Sequence, residues 1–309
     1  MTIGAPVPAI EAPAITRADT RVRTRSGQGL GRILLHISLL ALMAIWAIPT
    51  IALLVASFRP AAATNASGWW TAFTPPWQFT LENYDYVLGR SGIDQAFINS
   101  FIITIPATVL VVLLAAFAAY AFAWMEFPGR NILFVVVVGL LVVPLQVTLI
   151  PVLSLLRDFQ PGGFKINGTM LAVWLAHTGY GLPFAVYLLR NYFGGLPREV
   201  FESAAIDGAS PSTAFFRLAI PMSVPALASL IIFQFLWVWN DLLVALVYIG
   251  PVPENHPLSV VLANLTTSFG GGWQFLTAAA FVSMIVPIIV FLSLQRYFVR
   301  GITGGAVKG

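Results

Sequence analysis

Long apolar runs alternate along this chain with short polar ones, and the run lengths set the first reading. After a Pro/Ala-rich opening that turns basic, an apolar run extends from about Ile33 to Phe58. Five more follow, near residues 97–124, 132–155, 169–189, 219–249 and 275–295. Each reaches or exceeds the roughly 20 residues that a helix needs to cross a bilayer. They are far longer than barrel strands and lack the alternation of a strand with one face in lipid. The pattern predicts an all-α integral membrane protein with six transmembrane helices. Pro225 in the overlong fifth run predicts an interfacial or kinked start. Pro144 and Pro151 predict a kink in the third, with room for a cavity beside it.

Composition agrees: 58% of residues are hydrophobic and 9% charged. The distribution of positive charge then orients the spans. With the N-terminus inside, the inner segments hold Arg17, Arg21, Arg23, Arg25, Arg32, Arg130, Arg190, Arg198, Arg217, Arg296, Arg300 and Lys308, while the outer ones hold only Arg59, Arg90, Arg157 and Lys165. The positive-inside rule therefore puts both termini and the 190–219 loop in the cytoplasm. Residues 1–32 read as a disordered basic cytoplasmic tail, 33–296 as the six-span domain and 297–309 as a cytoplasmic C-terminal tail. A cleaved signal peptide is disfavoured because the first apolar run is long enough to span. The basic residues follow topology and are not interleaved with aromatics as a nucleic-acid face would require.

Between the fourth and fifth runs lies the longest polar-punctuated segment of the second half, Leu196 to Pro221. Pro197 suits a first helical position, and Glu199 and Glu202 suit the positive end of a helix. Gly208 can take a left-handed stop. Ser210 then offers an N-cap before Pro211, so a second short helix runs through Phe216 until Pro221. On the first helix Val200, Phe201, Ala204 and Ala205 share an apolar side. Two short helices joined by a tight turn form a compact knob suited to docking.

Two loops on the opposite side are long. Residues 59–96 contain Trp69, Trp70 and Trp77, whose rings suit either lipid headgroups or the apolar face of a sugar. Residues 250–274 carry three prolines and the run Thr267-Ser268-Phe269-Gly270-Gly271-Gly272, whose glycines permit a sharp tip. That tip is either a mobile surface loop or a hydroxyl-and-aromatic probe able to compete with a bound sugar.

The chemistry encoded here is sparse. The chain has no cysteine, which removes disulfides and thiolate chemistry, and its three histidines show no metal-ligand spacing. Neither lysine sits in a phosphate-binding loop, since Lys165 precedes Ile166 and Lys308 precedes Gly309. No serine-nucleophile elbow or zinc-protease motif occurs, so no catalytic or metal residue is assigned. Any ATP-driven work falls to another chain. Within the spans the polar residues are Asn99, Gln146, His177, Gln234, Asn240 and Asp241. Such groups are expensive in lipid and face a cavity or a partner. Asp241 fits either a hydrogen-bond acceptor that stiffens the bundle or a wall of a solute path. An ion-coupled secondary transporter needs coupling groups for which His177 and Asp241 are a poor set. A membrane-embedded enzyme lacks its constellation.

The knob also carries a resemblance. Glu202-Ser203-Ala204, Gly208 and Leu218-Ala219-Ile220-Pro221 keep the spacing of the EAA loop of ABC importer permeases, with mild departures at Ser203, Leu218 and Ile220. The segments from Ser57-Phe58-Arg59 to Asn83-Tyr84, Trp239-Asn240-Asp241, and Gln295 to Gly309 are similar to the carbohydrate, maltose-transporter branch of that family. Gly68-Trp69-Trp70 resembles permeases for α-glucosides. The resemblance implies a type I ABC importer transmembrane domain in a bacterial inner membrane, and sugar import by alternating access. It implies a heterodimer with a second permease subunit, two ATPase subunits that bind ATP and Mg, and an external sugar-binding protein. This chain would itself bind no cofactor. Glu202, Ser203, Ala204, Ala205, Asp207 and Gly208 would couple to an ATPase, and Gly304, Gly305, Ala306, Val307 and Lys308 would touch it. Thr267, Ser268, Phe269, Gly270 and Gly271 would meet the binding protein.

Overall fold

The computed structural model describes residues 28–89, 92–265 and 272–306, with side chains described from 31 to 296 within those ranges. The chain divides after Thr50 into the first part of the opening helix and a larger body from Ile51 onward. Helices come in the order α1 (Gln28–Ser57), α2 (Ala61–Ala66), α3 (Glu82–Gly89), α4 (Ile93–Trp124), α5 (Arg130–Leu140), α6 (Leu145–Asp158) and α7 (Met170–Gly194). Then follow α8 (Arg198–Ile206), α9 (Pro211–Ala214), α10 (Ile220–Met222), α11 (Val224–Trp239), α12 (Leu243–Ile249), α13 (Leu258–Ala263) and α14 (Trp273–Ala306). A backbone in hydrocarbon must satisfy its own hydrogen bonds, which is why the apolar runs are helical.

Among the described residues four helices are long and apolar enough to cross a membrane, and up to six spans result if each of two bent pairs counts as one. The third predicted span is such a pair, since α5 and α6 meet at 107°. Pro144 marks the break: it lacks an N–H and pushes Val143 out of the helical region. Pro151 lies inside α6 without ending it. The fifth run breaks twice. A π-helical turn over Phe215–Ala219 leads into α10, and the chain bends by 75° at Ser223 before α11. Pro225 sits in the first turn of α11, where its missing N–H costs nothing. The second break, at residues 240–242, was not foreseen and separates α12 from α11.

The segment read from the sequence as a tail after residue 296 continues the last helix, since α14 runs through Gly301, Gly304 and Gly305 to Ala306. Each glycine costs about 1 kcal/mol against alanine, but the helix is already nucleated from Trp273 and needs only to propagate. Residues 1–27, including most of the basic tail, lie outside the described residues, as do Val307, Lys308 and the 266–271 loop tip.

The body's core is built on two buried stripes at four-residue spacing. On α4 these are Ile103, Ala107, Val111, Ala115 and Ala119; on α7 they are Val173, His177, Gly181, Ala185, Leu189 and Phe193. Small side chains let the two backbones approach, which matters because lipid supplies no hydrophobic drive between helices. Around this pair one cluster gathers toward the knob and another toward α12.

Candidate functional site

The knob forms through local chemistry. Gly208 has φ +80°, its N–H donates to the Ala205 carbonyl at 3.0 Å, and the Ala209 N–H donates to Ala204 at 2.9 Å. This pair of bonds is the Schellman closure of α8. Ser210 Oγ accepts from the Thr213 N–H at 3.2 Å and caps α9. Pro197 differs from expectation by one position: it precedes the helix, which starts at Arg198.

The expected apolar side is narrower in the fold. Of Val200, Phe201, Ala204 and Ala205, only Phe201 is buried and Ala204 half-buried, because a single aromatic anchor suffices to fix so short a helix. The Phe201 ring stacks on Trp124 at the end of α4, with centroids 3.9 Å apart and planes at 20°. Trp124 Nε1 donates to the Phe193 carbonyl at 3.0 Å, and the Tyr120 hydroxyl donates to Pro211 at 3.1 Å. The knob is thereby tied to both α4 and α7. Its other side faces outward: Glu202, Ser203, Ala205, Asp207 and Gly208 are exposed, and Ile206 is 87% exposed. Between the knob and the α4 end lies a cleft of about 450 Å³, lined by Tyr120, Trp124, Glu126, Phe201, Glu202 and Ala205 among others.

Two of the six candidate path residues, His177 and Asp241, come together near the break between α11 and α12, and a third, Gln234, lies against Gly181 one turn further along α7. His177 is 1% exposed, and its Nε2 stands 3.7 Å from Asp241 Oδ2. The Trp237 ring meets the His177 ring in a T-shaped contact at 5.6 Å. Gln234, one helical turn before Trp237, is 4% exposed. The remaining three stay apart. Asn99 is buried and donates to the carbonyls of Glu254 and His256 at 2.7 and 3.0 Å, stitching α4 to the 250–258 segment. Asn240 donates back to Leu236 on its own helix, and Gln146 is exposed at the start of α6. Missed in the sequence were Tyr180, whose hydroxyl lies 2.6 Å from that of Tyr248, and Gly181. Their only advance signal was their position one turn after His177. Among the described residues no group of three His, Asp or Glu side chains could hold a metal.

The family described as binding-protein-dependent transport system inner membrane component matches residues 96–304. The chain belongs to this family. The permease is 54% identical over 277 residues to the osmoprotective compounds uptake permease protein of Synechocystis, covering 89% of this chain and 91% of that one. It is 56% identical over 239 residues to the alpha-glucoside transport system permease protein of Rhizobium meliloti, covering 77% of this chain and 63% of the relative. Its fold matches a bacterial ABC transporter involved in alginate import at TM-score 0.70 and 23% identity, covering 89% of this chain and 98% of that one. It is thus a multi-pass inner-membrane permease subunit, and its expected all-α importer fold is confirmed.

At the end of the permease away from the knob, a buried guanidinium organises the first long loop. Arg59 is 1% exposed. Its Nη1 donates to the Ser67 carbonyl at 3.0 Å, and its Nη2 shares protons among Ala63 O, Ser67 Oγ, Thr71 Oγ1 and Gln78 Oε1 at 2.6–3.1 Å. Burial lowers its pKa from the ordinary value, but arginine stays charged. Asn83 of α3 donates to the Ser57 and Arg59 carbonyls, both at 2.8 Å. The part of the long outer loop from Arg59 to Asn83 is therefore a folded collar.

Asp241 has a local role that can be separated from its charge. Its Oδ2 accepts from the N–H groups of Val244 and Ala245 at 2.9 and 3.2 Å, capping the start of α12. Asparagine caps as well as aspartate, whereas loss of the cap costs about 1 kcal/mol. Asp241→Asn is expected to keep the thermal stability of the purified permease, and Asp241→Ala to lower it. Equal losses in both would show that the charge facing His177, rather than the cap, holds this break.

Proposed function

We propose that this chain is one of two permease subunits in an ATP-driven importer of α-glucosides, including ones that serve as osmoprotective compounds. The names of the Synechocystis and Rhizobium meliloti relatives support the substrate class. The knob carries the coupling proposal: a short helix closed at Gly208, fixed by the Phe201–Trp124 stack, with its polar side turned outward. It faces the cytoplasm by the distribution of Arg and Lys. There Glu202, Ser203, Ala204, Ala205, Asp207 and Gly208 meet one of two ATPase subunits, which supply the ATP and Mg chemistry. Gly304, Gly305, Ala306, Val307 and Lys308 extend that contact. On the outer side Thr267, Ser268, Phe269, Gly270 and Gly271 meet the sugar-binding protein. ATP binding favours one packing of the permease pair over the other, and the path alternates between sides.

The test is reconstitution in proteoliposomes with the second permease, the ATPase and the binding protein. ATP-dependent uptake of labelled trehalose, sucrose or maltose is expected, with loss on omission of any component. Uptake driven by a proton or sodium gradient without ATP would replace this reading with a secondary transporter.

A further inference from the structure

At the knob end of the permease, α4 and α5 are joined through the turn Phe127-Pro128-Gly129, in which Gly129 takes φ +79°. Phe122 of α4 packs on Phe127 and on Phe134 of α5, with centroids 5.8 and 5.6 Å apart. Arg190, one turn from the end of α7, lays its guanidinium over the Phe134 ring, with Cζ 4.7 Å from the centroid. Arg130 stands one turn before Phe134 on the same side of α5. Two arginines from different helices thus border one aromatic cluster.

Neither arginine has a counter-charge. Arg130 Nη1 donates to the Met125 carbonyl at 3.0 Å and Arg190 Nη1 to Asn191 Oδ1 at 3.4 Å, both neutral acceptors. Among the described residues neither forms an ion pair. Glu126 lines the same recess as Arg130, but it is exposed and pairs with neither. Both arginines are half-buried, and Arg190 Nε is buried with no hydrogen-bond partner. A place near the end of α7 accounts for the sign of the Arg190 charge, since a helix C-terminus favours cations. It does not account for a buried donor that no acceptor reaches. Half-buried guanidinium groups with spare donors and no carboxylate are suited to an anion from outside the chain.

We propose that Arg130 and Arg190 hold the phosphate of an anionic phospholipid against α5 and the end of α7. The fork of a guanidinium matches phosphate oxygens in pairs. Beside Arg130 a recess of about 420 Å³, lined by Phe127, Gly129, Asn131 and Ile132 among others, has room for the headgroup. Further along α5, Ile132, Leu133, Val135 and Val136 are exposed, an aliphatic surface on which acyl chains can lie. Inorganic phosphate would use the arginines and leave that surface bare. A partner in water would meet the arginines but could not follow the aliphatic run into the bilayer. In the proposed orientation this end meets the cytoplasmic leaflet, where basic pockets between helices take anionic headgroups.

The test uses the complex of both permeases and the ATPase in mild detergent, titrated with phosphatidylglycerol, phosphatidylcholine or inorganic phosphate. Native mass spectrometry counts the molecules bound. The tightest phosphatidylglycerol is expected to bind about tenfold more strongly than phosphatidylcholine, and inorganic phosphate is expected not to displace it. Arg130→Gln and Arg190→Gln are each expected to weaken it about tenfold and to leave phosphatidylcholine unchanged. Arg190→Lys is expected to fall between, since an ammonium keeps the charge and loses the fork. The comparison of the two lipids on the wild-type complex needs no variant to assemble. Equal affinity for both lipids would overturn the site, as would phosphatidylglycerol binding that neither glutamine variant changes. Displacement by inorganic phosphate would make it a free-anion site and overturn the lipid. If both glutamine variants shed the ATPase and still hold phosphatidylglycerol, the arginines serve that contact, and the lipid site is again overturned.

Discussion

Replacing Gly208 by valine is expected to uncouple the importer while leaving the spans inserted. No atom lies within 4 Å of a Cβ built at Gly208, so space is not the constraint. The constraint is φ +80°, which a β-branched residue adopts as an outlier. The strain is on the order of 1–3 kcal/mol. It can be relieved only by opening the Schellman closure, which turns Ala209 and Ser210 away and misaims α8. If the knob must be closed to dock, the docked fraction falls about tenfold for each 1.4 kcal/mol. A graded series follows from the same physics: Gly208→Asn close to wild type, Gly208→Ala intermediate and Gly208→Val lowest. ATP hydrolysis stimulated by the loaded binding protein is the measurement. Wild-type stimulation in the valine variant would show that the turn does not transmit the cycle.

The knob was legible in the sequence because its chemistry is local. The stop at Gly208 and the cap at Ser210 involve residues within five positions of each other. The six apolar runs were legible for a similar reason, since length and hydropathy decide them, and proline signalled where two of them bend. What sequence spacing could not supply was which helix faces which. His177 meets Asp241, and Gly181 meets Gln234, because α7 lies against α11 and α12, whereas Asn99, equally polar and equally within a span, is satisfied by the 250–258 segment. The tail boundary at residue 297 misled in the opposite direction, because the end of the apolar run was taken as the end of the helix.

Arg59 shows the same gap between residue type and role, and it carries the second large expected effect. In the sequence it counted as one exception to the charge bias and as part of a stretch similar to the family's. In the fold its guanidinium fills the centre of the collar with only neutral acceptors around it. Hydrogen bonds to charged groups contribute roughly 1.5–3 kcal/mol each, and removing the donor strands the acceptors as well. Arg59→Met keeps the apolar stem and removes every donor, so a loss on the order of 3–5 kcal/mol in local stability is expected. Arg59→Lys is expected to recover only part of it, because a compact ammonium cannot span the Ser67 and Gln78 sides at once. The chain has no cysteine, so a single thiol is a clean reporter of the collar. Ala72 is fully buried within it. An Ala72→Cys thiol is expected to resist a membrane-impermeant maleimide in the otherwise wild-type permease and to react readily once Arg59→Met is added. Sugar uptake is expected to fall in parallel if the collar presents the binding-protein surface. Equal thiol protection with and without Arg59→Met would show that the collar holds together without its central charge.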